Sequence, residues 1–298
     1  LSLVGSEMCI RDRINTASTT GTFRLIFDTT ISGSEGTTFL SKAIGTGGDN
    51  SSFSDKSTTG TTHTITAVGS TYQGTFSPYS PKGYSWYFPG HTANGGVQTD
   101  TSGPTLGTGD FTVEFWFMND YDFNTTDNTD GTYGYQTLVS DNLYGNGTNN
   151  GGWVLYQRQD ELRLAVNNAE KLSHHYLPWN SNPREWNHVA WVRNSGTSRI
   201  YVNGYDGGVS VSDTVNYVDN RICIGANNYA TSFPRFEYKG WIHDLRIVVG
   251  TPVYTGNFTP PDGPLTTTGG DYPSTTNVNT SITASHTKYQ ACNLPYIN

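Results

Sequence analysis

Short apolar segments alternate with polar turns along almost the whole chain. Segments such as FRLIF at 23–27, FTVEFWF at 111–117 and ELRLAV at 161–166 are separated by clusters of Gly, Asn, Ser and Pro. Short strands at regular spacing between turn residues of this kind are typical of a sandwich or a barrel. No stretch shows a convincing helical periodicity, so the pattern predicts an all-β fold of antiparallel strands.

The segment FTVEFWF shows this alternation most plainly. Phe111, Val113, Phe115 and Phe117 fall on one face of the expected strand, and Glu114 falls on the other. Because side chains alternate between the two faces of a strand, the four apolar residues are expected to cover a core. The segment ELRLAV repeats the pattern, with three residues expected to point inward: Leu162, Leu164 and Val166.

Two hairpins are predicted from neighbouring strand segments. WVLYQRQDELRLAV indicates two strands joined by a tight turn at Gln159 and Asp160. HVAWVRN and SRIYVNG are expected to form a second hairpin through residues 195–197, where a glycine supplies the positive φ that a short loop favours. The register expected for this second hairpin brings Trp191 and Tyr201 near one another.

The strand WIHDLRIVV carries two charged residues at its centre. Asp244 and Arg246 are two positions apart, so they are expected to share a face and to pair across strands with a partner such as Glu114. A structural role is favoured for them over a catalytic one. Strict alternation cannot turn all the apolar residues inward, which predicts a β-bulge near His243 or Asp244. The residues expected to complete the core here are Trp241, Ile242, Leu245 and Ile247.

Two long polar stretches interrupt the regular strand spacing. Residues 119–151 are rich in Asn, Asp, Tyr and Gly around one brief strand, and residues 167–185 form a second polar stretch. Loops of this length inside a compact domain are either functional or disordered. We therefore expect the sandwich to carry two long polar loop insertions.

The composition of the ends predicts the domain organisation. Residues 1–13, LSLVGSEMCIRDR, resemble translated sequencing-adapter sequence, which makes them a probable artefact. Residues 14–265 are expected to form the sandwich, and the Thr/Ser/Gly-rich residues 266–285 a linker. Residues 286–298 resemble the first strand of a following repeat, so the chain is expected to be a fragment of a longer protein.

Charge and cysteine content exclude several classes of function. The chain of 298 residues has a formal net charge of −8, which disfavours a nucleic-acid surface because phosphate binding needs clustered Lys and Arg. No apolar run approaches the roughly 20 residues that span a bilayer, so no membrane insertion is expected. The three cysteines are too scattered for a disulfide framework. Cys223, between two isoleucines, is expected to be a small buried hydrophobe.

Four ordered blocks together resemble a known family: GTGDFTVEFWF, EWNHVAWVRNSGTSRIYVNG, RICIGANN and WIHDLRIVVGTPVYTGNFTPP. They are similar to laminin-G-like, concanavalin A-like jelly-roll domains, in the versions found in marine phage and bacterial surface proteins. The resemblance covers roughly residues 60–265. It implies an antiparallel β-sandwich, a location outside the cell or on a virion, and neighbouring repeats of the same chain as possible partners.

The resemblance also bears on catalysis and on metal binding. Related glucanases carry an E-x-D-x-x-E strand whose alternate positions aim the acid and the nucleophile at one glycosidic bond. No such cluster occurs among the Glu residues here, so no enzymatic activity is expected. Relatives often hold calcium at the rim through oxygen ligands, and the segment DFNTTDNTDG offers such ligands. The expected calcium ligands are Asp122, Asp127 and Asp130.

Aromatic residues in the polar stretches favour a glycan or cell-surface ligand. Flat aromatic faces combined with directional hydrogen-bonding groups suit a shallow sugar site. The expected ligand-binding residues are Tyr133, Tyr144, Trp179, Asn228, Tyr229 and Arg235. The preferred hypothesis is a non-catalytic adhesion module of a larger surface protein that recognises glycans through its rim loops. The alternatives are an architectural virion or tail-fibre spacer and an accessory domain of a carbohydrate-active enzyme.

Overall fold

The structure is a computed structural model of the chain. It describes twelve segments: residues 63–74, 76–79, 85–90, 94–100, 103–120, 134–141, 151–158, 161–175, 184–218, 221–229, 232–265 and 278–291. All of them belong to one unit, Gly47–Tyr296. Four strand residues are described by their backbone alone: Tyr229, Ser232, Arg235 and Ala291.

The described residues form strands and one short 3-10 helix, Ala284–His286. The strands are β1 (Ile65–Val68), β2 (Tyr72–Gly74), β3 (Ser85–Pro89), β4 (Gly96–Thr99), β5 (Phe111–Asn119), β6 (Tyr135–Asp141), β7 (Trp153–Arg158), β8 (Glu161–Val166), β9 (Ala169–His175), β10 (Asn187–Asn194), β11 (Thr197–Val202), β12 (Ser210–Ser212), β13 (Ile222–Ile224), β14 (Asn227–Tyr229), β15 (Ser232–Arg235), β16 (Lys239–Val249) and β17 (Thr287–Ala291).

Two antiparallel sheets make up the sandwich. One has seven strands in the order β1-β4-β13-β6-β7-β8-β9. The other has eight strands, with β12-β11-β10-β5-β16-β3-β2 in sequence across the sheet and β17 paired to β16. Strands β14 and β15 form a separate hairpin. This arrangement confirms the predicted all-β, antiparallel sandwich.

The core lies between the two sheets and is supplied by alternate strand residues. Phe111, Val113, Phe115 and Phe117 of β5 are all fully buried there, as predicted. From the opposite sheet, the inward residues of β8 join the same cluster, which confirms the prediction for Leu162, Leu164 and Val166. Cys223 is fully buried and free, and burial raises the pKa of its thiol, so it serves as a packing residue.

Both predicted hairpins are present, but the register of one differs from the prediction. Strands β7 and β8 pair with Arg158 opposite Glu161, and the turn residues 159–160 lie outside the described segments. In the β10–β11 hairpin, Trp191 lies opposite Ile200 rather than beside Tyr201. The turn has two central residues instead of three, and this one-residue shift puts Trp191 and Tyr201 on opposite faces of the sheet.

Strand β16 contains the predicted bulge. Its register with β5 shifts between His243 and Arg246, and Asp244 adopts a φ of 56°. The bulge lets Ile242, Leu245 and Ile247 all enter the core, as expected. Trp241 does not join them. It precedes the bulge and alternates with the inward Ile242, so it lies on the outer face of the eight-stranded sheet.

A second apolar layer covers part of that outer face. Tyr254, Phe258 and Ile282 pack on outward residues of β10 and β16, and Tyr289 of β17 enters the main core. The rings of Tyr254 and Phe258 are stacked, with their centroids 3.5 Å apart. Residues 278–291 thus pack on this sandwich, whereas the sequence predicts a linker over 266–285 and the first strand of a following repeat over 286–298. Whether further repeats follow stays a prediction.

The polar stretch at 167–185 is not wholly a loop. Residues Ala169–His175 form β9, the edge strand of the seven-stranded sheet. Only Leu172 and His174 of this strand are well buried, because an edge strand needs few apolar side chains. This half-exposed pattern is why the sequence resembles a polar insertion. Of the other insertion, the structure describes residues 119–120, 134–141 and 151, which include β6.

Candidate functional site

A row of aromatic residues crosses the outer face of the eight-stranded sheet. Tyr72 of β2 lies opposite Tyr87 of β3, and Tyr87 lies opposite Trp241 of β16. Met118 of β5 continues the row beyond Trp241. Residues directly opposite each other on neighbouring strands point to the same face, so three strands bring these rings together.

The rings of this row are in mutual contact. The centroid of the Tyr87 ring lies 5.0 Å from that of Tyr72 and 4.9 Å from that of Trp241. Phe76 extends the group, with its ring centroid 5.5 Å from that of Trp241, and Trp186 lies 5.7 Å beyond Phe76. We call these five residues, Tyr72, Phe76, Tyr87, Trp186 and Trp241, the aromatic surface.

Gly74 makes room for the central ring of this surface. A Cβ atom at Gly74 would lie 2.5 Å from Cη2 and 2.6 Å from Cζ3 of Trp241. These distances are too short for any real Cβ, so the indole ring occupies the space that the missing side chain leaves. The position of Trp241 therefore depends on a glycine on the edge strand β2.

The aromatic surface is open to solvent. Phe76 is 44% exposed and Tyr72 is 40% exposed, while Tyr87, Trp186 and Trp241 are partly buried. Two of the four large hydrophobic residues that are exposed among the described residues thus belong to this one group. Solvent-exposed aromatic rings that cluster, rather than lie singly, indicate a binding surface.

A carboxylate borders the rings. The hydroxyl of Tyr87 donates a hydrogen bond of 2.9 Å to Oδ2 of Asp120, which directly follows β5. Burial and the Asp120 carboxylate raise the pKa of both Tyr87 and Tyr72. Both hydroxyls therefore stay protonated near neutral pH: that of Tyr87 donates to Asp120, and that of Tyr72 can donate to a ligand. Asp120 supplies acceptor oxygens beside them.

A group that resembles a catalytic triad lies beneath this surface. Oγ of Ser85 is 3.1 Å from Nδ1 of His243, and Nε2 of His243 is 3.9 Å from a carboxylate oxygen of Asp244. All three side chains are buried, and the serine hydroxyl donates to the carbonyl of Phe76. Asp244 accepts a 2.6 Å hydrogen bond from the backbone N–H of Leu265. These residues tie surrounding chain segments to the sheet, and the serine hydroxyl is buried.

The predicted partner of Arg246 is present. Arg246 donates to Oε1 of Glu114 from Nε at 2.8 Å and from Nη2 at 2.6 Å, and both side chains are fully buried. The hydroxyl of Tyr254 donates to Oε2 at 2.8 Å, and Nε2 of His188 lies 3.3 Å from the same oxygen. Burial alone raises the pKa of Glu114, but these partners lower it to about 2. The group therefore joins β5, β10 and β16 to the covering layer, which is a structural role.

Most of the sequence-predicted ligand residues lie outside the described segments: Tyr133, Tyr144, Trp179, Asp122, Asp127 and Asp130. Asn228, Tyr229 and Arg235 are brought together on the β14–β15 hairpin, with Tyr229 opposite Ser232 and Asn227 opposite Arg235. The described residues contain no group of three or more His, Cys, Asp or Glu side chains suited to a metal ion. The calcium site and the rim-loop site stay predictions.

The aromatic surface is not among the sites predicted from the sequence, although the sequence contains a signal for it. In SWYFP of β3, Trp86 and Phe88 alternate with Tyr87, so an aromatic residue points away from the core. Tyr72 and Trp241 show the same outward placement on their own strands. A search for aromatic residues at outward positions would have found all three, but not their contact.

Comparison with family models gives one match over most of the sandwich. The Laminin_G_3 model, described as the concanavalin A-like lectin/glucanases superfamily, matches residues 91–252, which is more than half of the chain. Comparison with curated protein sequences finds no match. In the part of the chain that the structure describes, no helix has the length and apolar character needed to cross a membrane.

Several solved structures are similar in fold. The binding domain of botulinum neurotoxin serotype G is 14% identical with a TM-score of 0.45, over 65% of this chain and 46% of that one. Domain 4 of AbnA, an extracellular arabinanase from Geobacillus stearothermophilus, was solved with arabinotriose. It is 16% identical with a TM-score of 0.42, over 65% of this chain and 85% of that one. Domains LG4-5 of the mouse laminin alpha1 chain are 14% identical with a TM-score of 0.40, over 59% of this chain and 44% of that one. The chain spans about half the length of the toxin domains that it resembles.

Proposed function

The chain belongs to the concanavalin A-like lectin/glucanases superfamily, and from this premise we propose that its sandwich is a non-catalytic carbohydrate-binding module that holds a glycan on the aromatic surface. The superfamily combines sugar binding and sugar cleavage on one fold. The function must therefore be argued from the side chains at a particular site. The observation that carries the proposal is the contacting row of Tyr72, which is exposed, with Tyr87 and Trp241, which are partly buried.

The shape of the surface suits a sugar chain. The rings span three adjacent strands, and neighbouring strands lie about 4.8 Å apart, so the row is roughly 10 Å long. This length matches about two sugar units. The C–H faces of pyranose rings are apolar and pack against aromatic rings, while their hydroxyl groups need hydrogen-bonding partners at the edge.

Polar groups at the edge of the rings meet that need. The Tyr72 hydroxyl can donate, the Tyr87 hydroxyl donates to Asp120 and can accept, and the Asp120 carboxylate supplies acceptor oxygens. A shallow site of this kind binds without enclosing its ligand. Binding to a long polysaccharide at internal positions is the expected consequence.

We propose that the module is non-catalytic because the carboxylate side chains described here have structural or hydrogen-bonding roles. Glycoside hydrolysis needs two carboxyl groups flanking the scissile bond. Glu114 is buried in its pair with Arg246, and Asp244 is buried in contacts to Leu265 and Tyr79. Asp120, which borders the aromatic surface, accepts a hydrogen bond from Tyr87, which is the geometry of a hydrogen-bond acceptor.

We also propose the setting and the remaining contacts of the module. The sequence blocks favour a larger phage or bacterial surface protein, outside the cell or on a virion. Only three residues separate Arg235 from Lys239 at the start of β16, so the β14–β15 hairpin lies at the end of the sheet that carries Trp241. Asn228, Tyr229 and Arg235 could thereby add contacts to a bound chain. Calcium bound by Asp122, Asp127 and Asp130 would be a support for the loops, not a reactant.

A binding screen with variants tests the proposal. The full chain would be applied to immobilised neutral polysaccharides, including glucans, galactans, mannans and arabinans, alongside Trp241→Ala and Tyr205→Ala. Tyr205 is 62% exposed and lies away from the aromatic surface, on the loop after β11, which makes it a matched control. Binding by the wild type and Tyr205→Ala, with loss in Trp241→Ala, supports the proposal. Binding to no polysaccharide, or equal binding by Trp241→Ala, overturns it.

A further inference from the structure

We propose that the aromatic surface selects uncharged sugars and rejects those that carry a carboxylate. This inference rests on the proposed function, because it names the class of glycan that the same site takes. Its basis is the charge that the structure places against the rings. Aromatic stacking alone does not distinguish a neutral hexose from its uronic acid, since the C–H faces of the two rings are alike.

Asp120 places a negative charge at the point where a ligand would lie. Its Oδ2 accepts a hydrogen bond of 2.9 Å from the hydroxyl of Tyr87, the middle ring of the row. Its charge also acts on Tyr72, one strand further out. A sugar stacked on Tyr72 and Tyr87 would thus lie within a few ångströms of this carboxylate. A second carboxylate on the sugar would be repelled, whereas a hydroxyl would donate to Oδ1.

No cation of the described residues forms an ion pair with Asp120. Lys239 precedes Trp241 by two positions on β16, so both side chains lie on the outer face of the sheet. The aliphatic part of the Lys239 side chain packs over Gly90. The backbone N–H of Asp120 donates to the Lys239 carbonyl at 3.4 Å, so the contact between these two residues that the structure records is through the backbone. Beside Trp186, the exposed residues Arg184 and Glu185 carry opposite charges. Within the described segments, the charge of Asp120 is therefore not cancelled by an ion pair.

The charge of the whole chain acts in the same direction. A net charge of −8 disfavours the approach of a polyanion, and the effect weakens as salt screens it. Long-range repulsion and the local contact at Asp120 can be separated, because only the local contact depends on one residue. Exchange of Asp120 for asparagine removes a single charge and keeps an oxygen that can accept from Tyr87.

Matched pairs of polysaccharides provide the test. Each pair would contain a neutral polymer and its C6-oxidised uronate: β-1,4-glucan with polyglucuronate, galactan with polygalacturonate, and mannan with polymannuronate. Affinities of the full chain would be measured at low and at physiological salt. The uronate of any pair whose neutral member binds is expected to bind at least about tenfold more weakly at low salt, from one like-charge contact in a partly solvated site.

The variants sharpen the outcome. Asp120→Asn is expected to weaken binding of the neutral polymer, because an acceptor is lost, and to reduce the discrimination, taken as the ratio of the variant's two affinities, to less than about threefold. Glu170→Gln removes the same charge from the exposed edge of the other sheet and is expected to leave the discrimination unchanged. Equal or tighter binding of uronates by the wild type overturns this inference alone. Discrimination that survives in Asp120→Asn also overturns it, and no binding to any polymer removes the proposed function with it.

Discussion

The indole ring of Trp241 occupies the space that Gly74 leaves open on the edge strand β2. A glycine with no side chain thereby sets the position of the largest ring on the aromatic surface. Tyr87, between them on β3, contacts this indole at a centroid distance of 4.9 Å. The proposed binding surface is thus a property of three strands together and not of any one loop.

Substitution of Gly74 by alanine tests this dependence. The new Cβ would lie within 2.6 Å of two ring atoms, so the Trp241 ring must move. Since the ring is the free end of a side chain, the loss in unfolding free energy is expected to stay near 1 kcal/mol, at the low end for overpacking. Polysaccharide affinity is expected to fall about tenfold if stacking carries it.

Gly109→Ala is the matched control for this change. Its Cβ would meet no atom within 4 Å, and its backbone does not require a positive φ. Affinity and tryptophan fluorescence would be measured for both variants. Unchanged fluorescence and affinity in Gly74→Ala would contradict the close packing of the ring on the glycine.

Loss of Arg246 is expected to destabilise the fold strongly. Arg246→Ala leaves the Glu114 carboxylate buried without its cation, a change that costs about 3–5 kcal/mol. Urea unfolding of the purified chain would measure it. Arg163→Ala, which breaks the more accessible pairs with Glu161 and Glu170, is the control and is expected to cost less than about 1 kcal/mol. Similar losses in the two variants would show that the buried pair does not hold the sheet.

Stability is expected to fall in acid through the same carboxylate. The pKa of Glu114 is about 2 in the folded chain, against an ordinary value of 4.5. Because folding lowers this pKa, the group contributes stability above pH 4.5, and that contribution is lost as the pH falls from 4.5 to about 2. Unfolding free energies measured across this range would show the decline.

Glu114→Gln isolates this contribution from that of other carboxyl groups. The variant is expected to be less stable than the wild type at pH 7, and the difference between the two should shrink as the pH falls toward 2. A difference that stays constant from pH 7 to pH 2 would contradict the assignment of the low pKa to Glu114.

Much of the fold could be predicted from the sequence because its signals are local. The alternation in FTVEFWF is sufficient to place Phe111 and Phe115 in the core, and the run of apolar residues in β16 is sufficient to predict the bulge at Asp244. The pairing of Glu114 with Arg246 could also be predicted, because both residues fall on the outward face of their strands. The prediction that Trp191 lies near Tyr201 was wrong because the turn has one residue fewer than expected. A register shift of one position moves every side chain of a strand to the other face of the sheet.

The candidate site could not be predicted in the same way. Tyr72, Tyr87 and Trp241 are separated by up to 169 positions along the chain, and only the pairing of β2, β3 and β16 brings them together. Sequence reasoning favoured aromatic residues in polar loops, because loops commonly carry function. It had no means to establish which outward residues of distant strands share a row.

The affinity of one neutral polysaccharide for Trp241→Ala, relative to the wild type, tests the central claim most directly. Isothermal titration would use the tightest polymer found for the full chain, with Tyr205→Ala as the control. The account predicts a loss of about 2 kcal/mol in Trp241→Ala, roughly thirtyfold in Kd, and no loss in Tyr205→Ala. Equal affinity in Trp241→Ala and the wild type, with both variants folded, would contradict it.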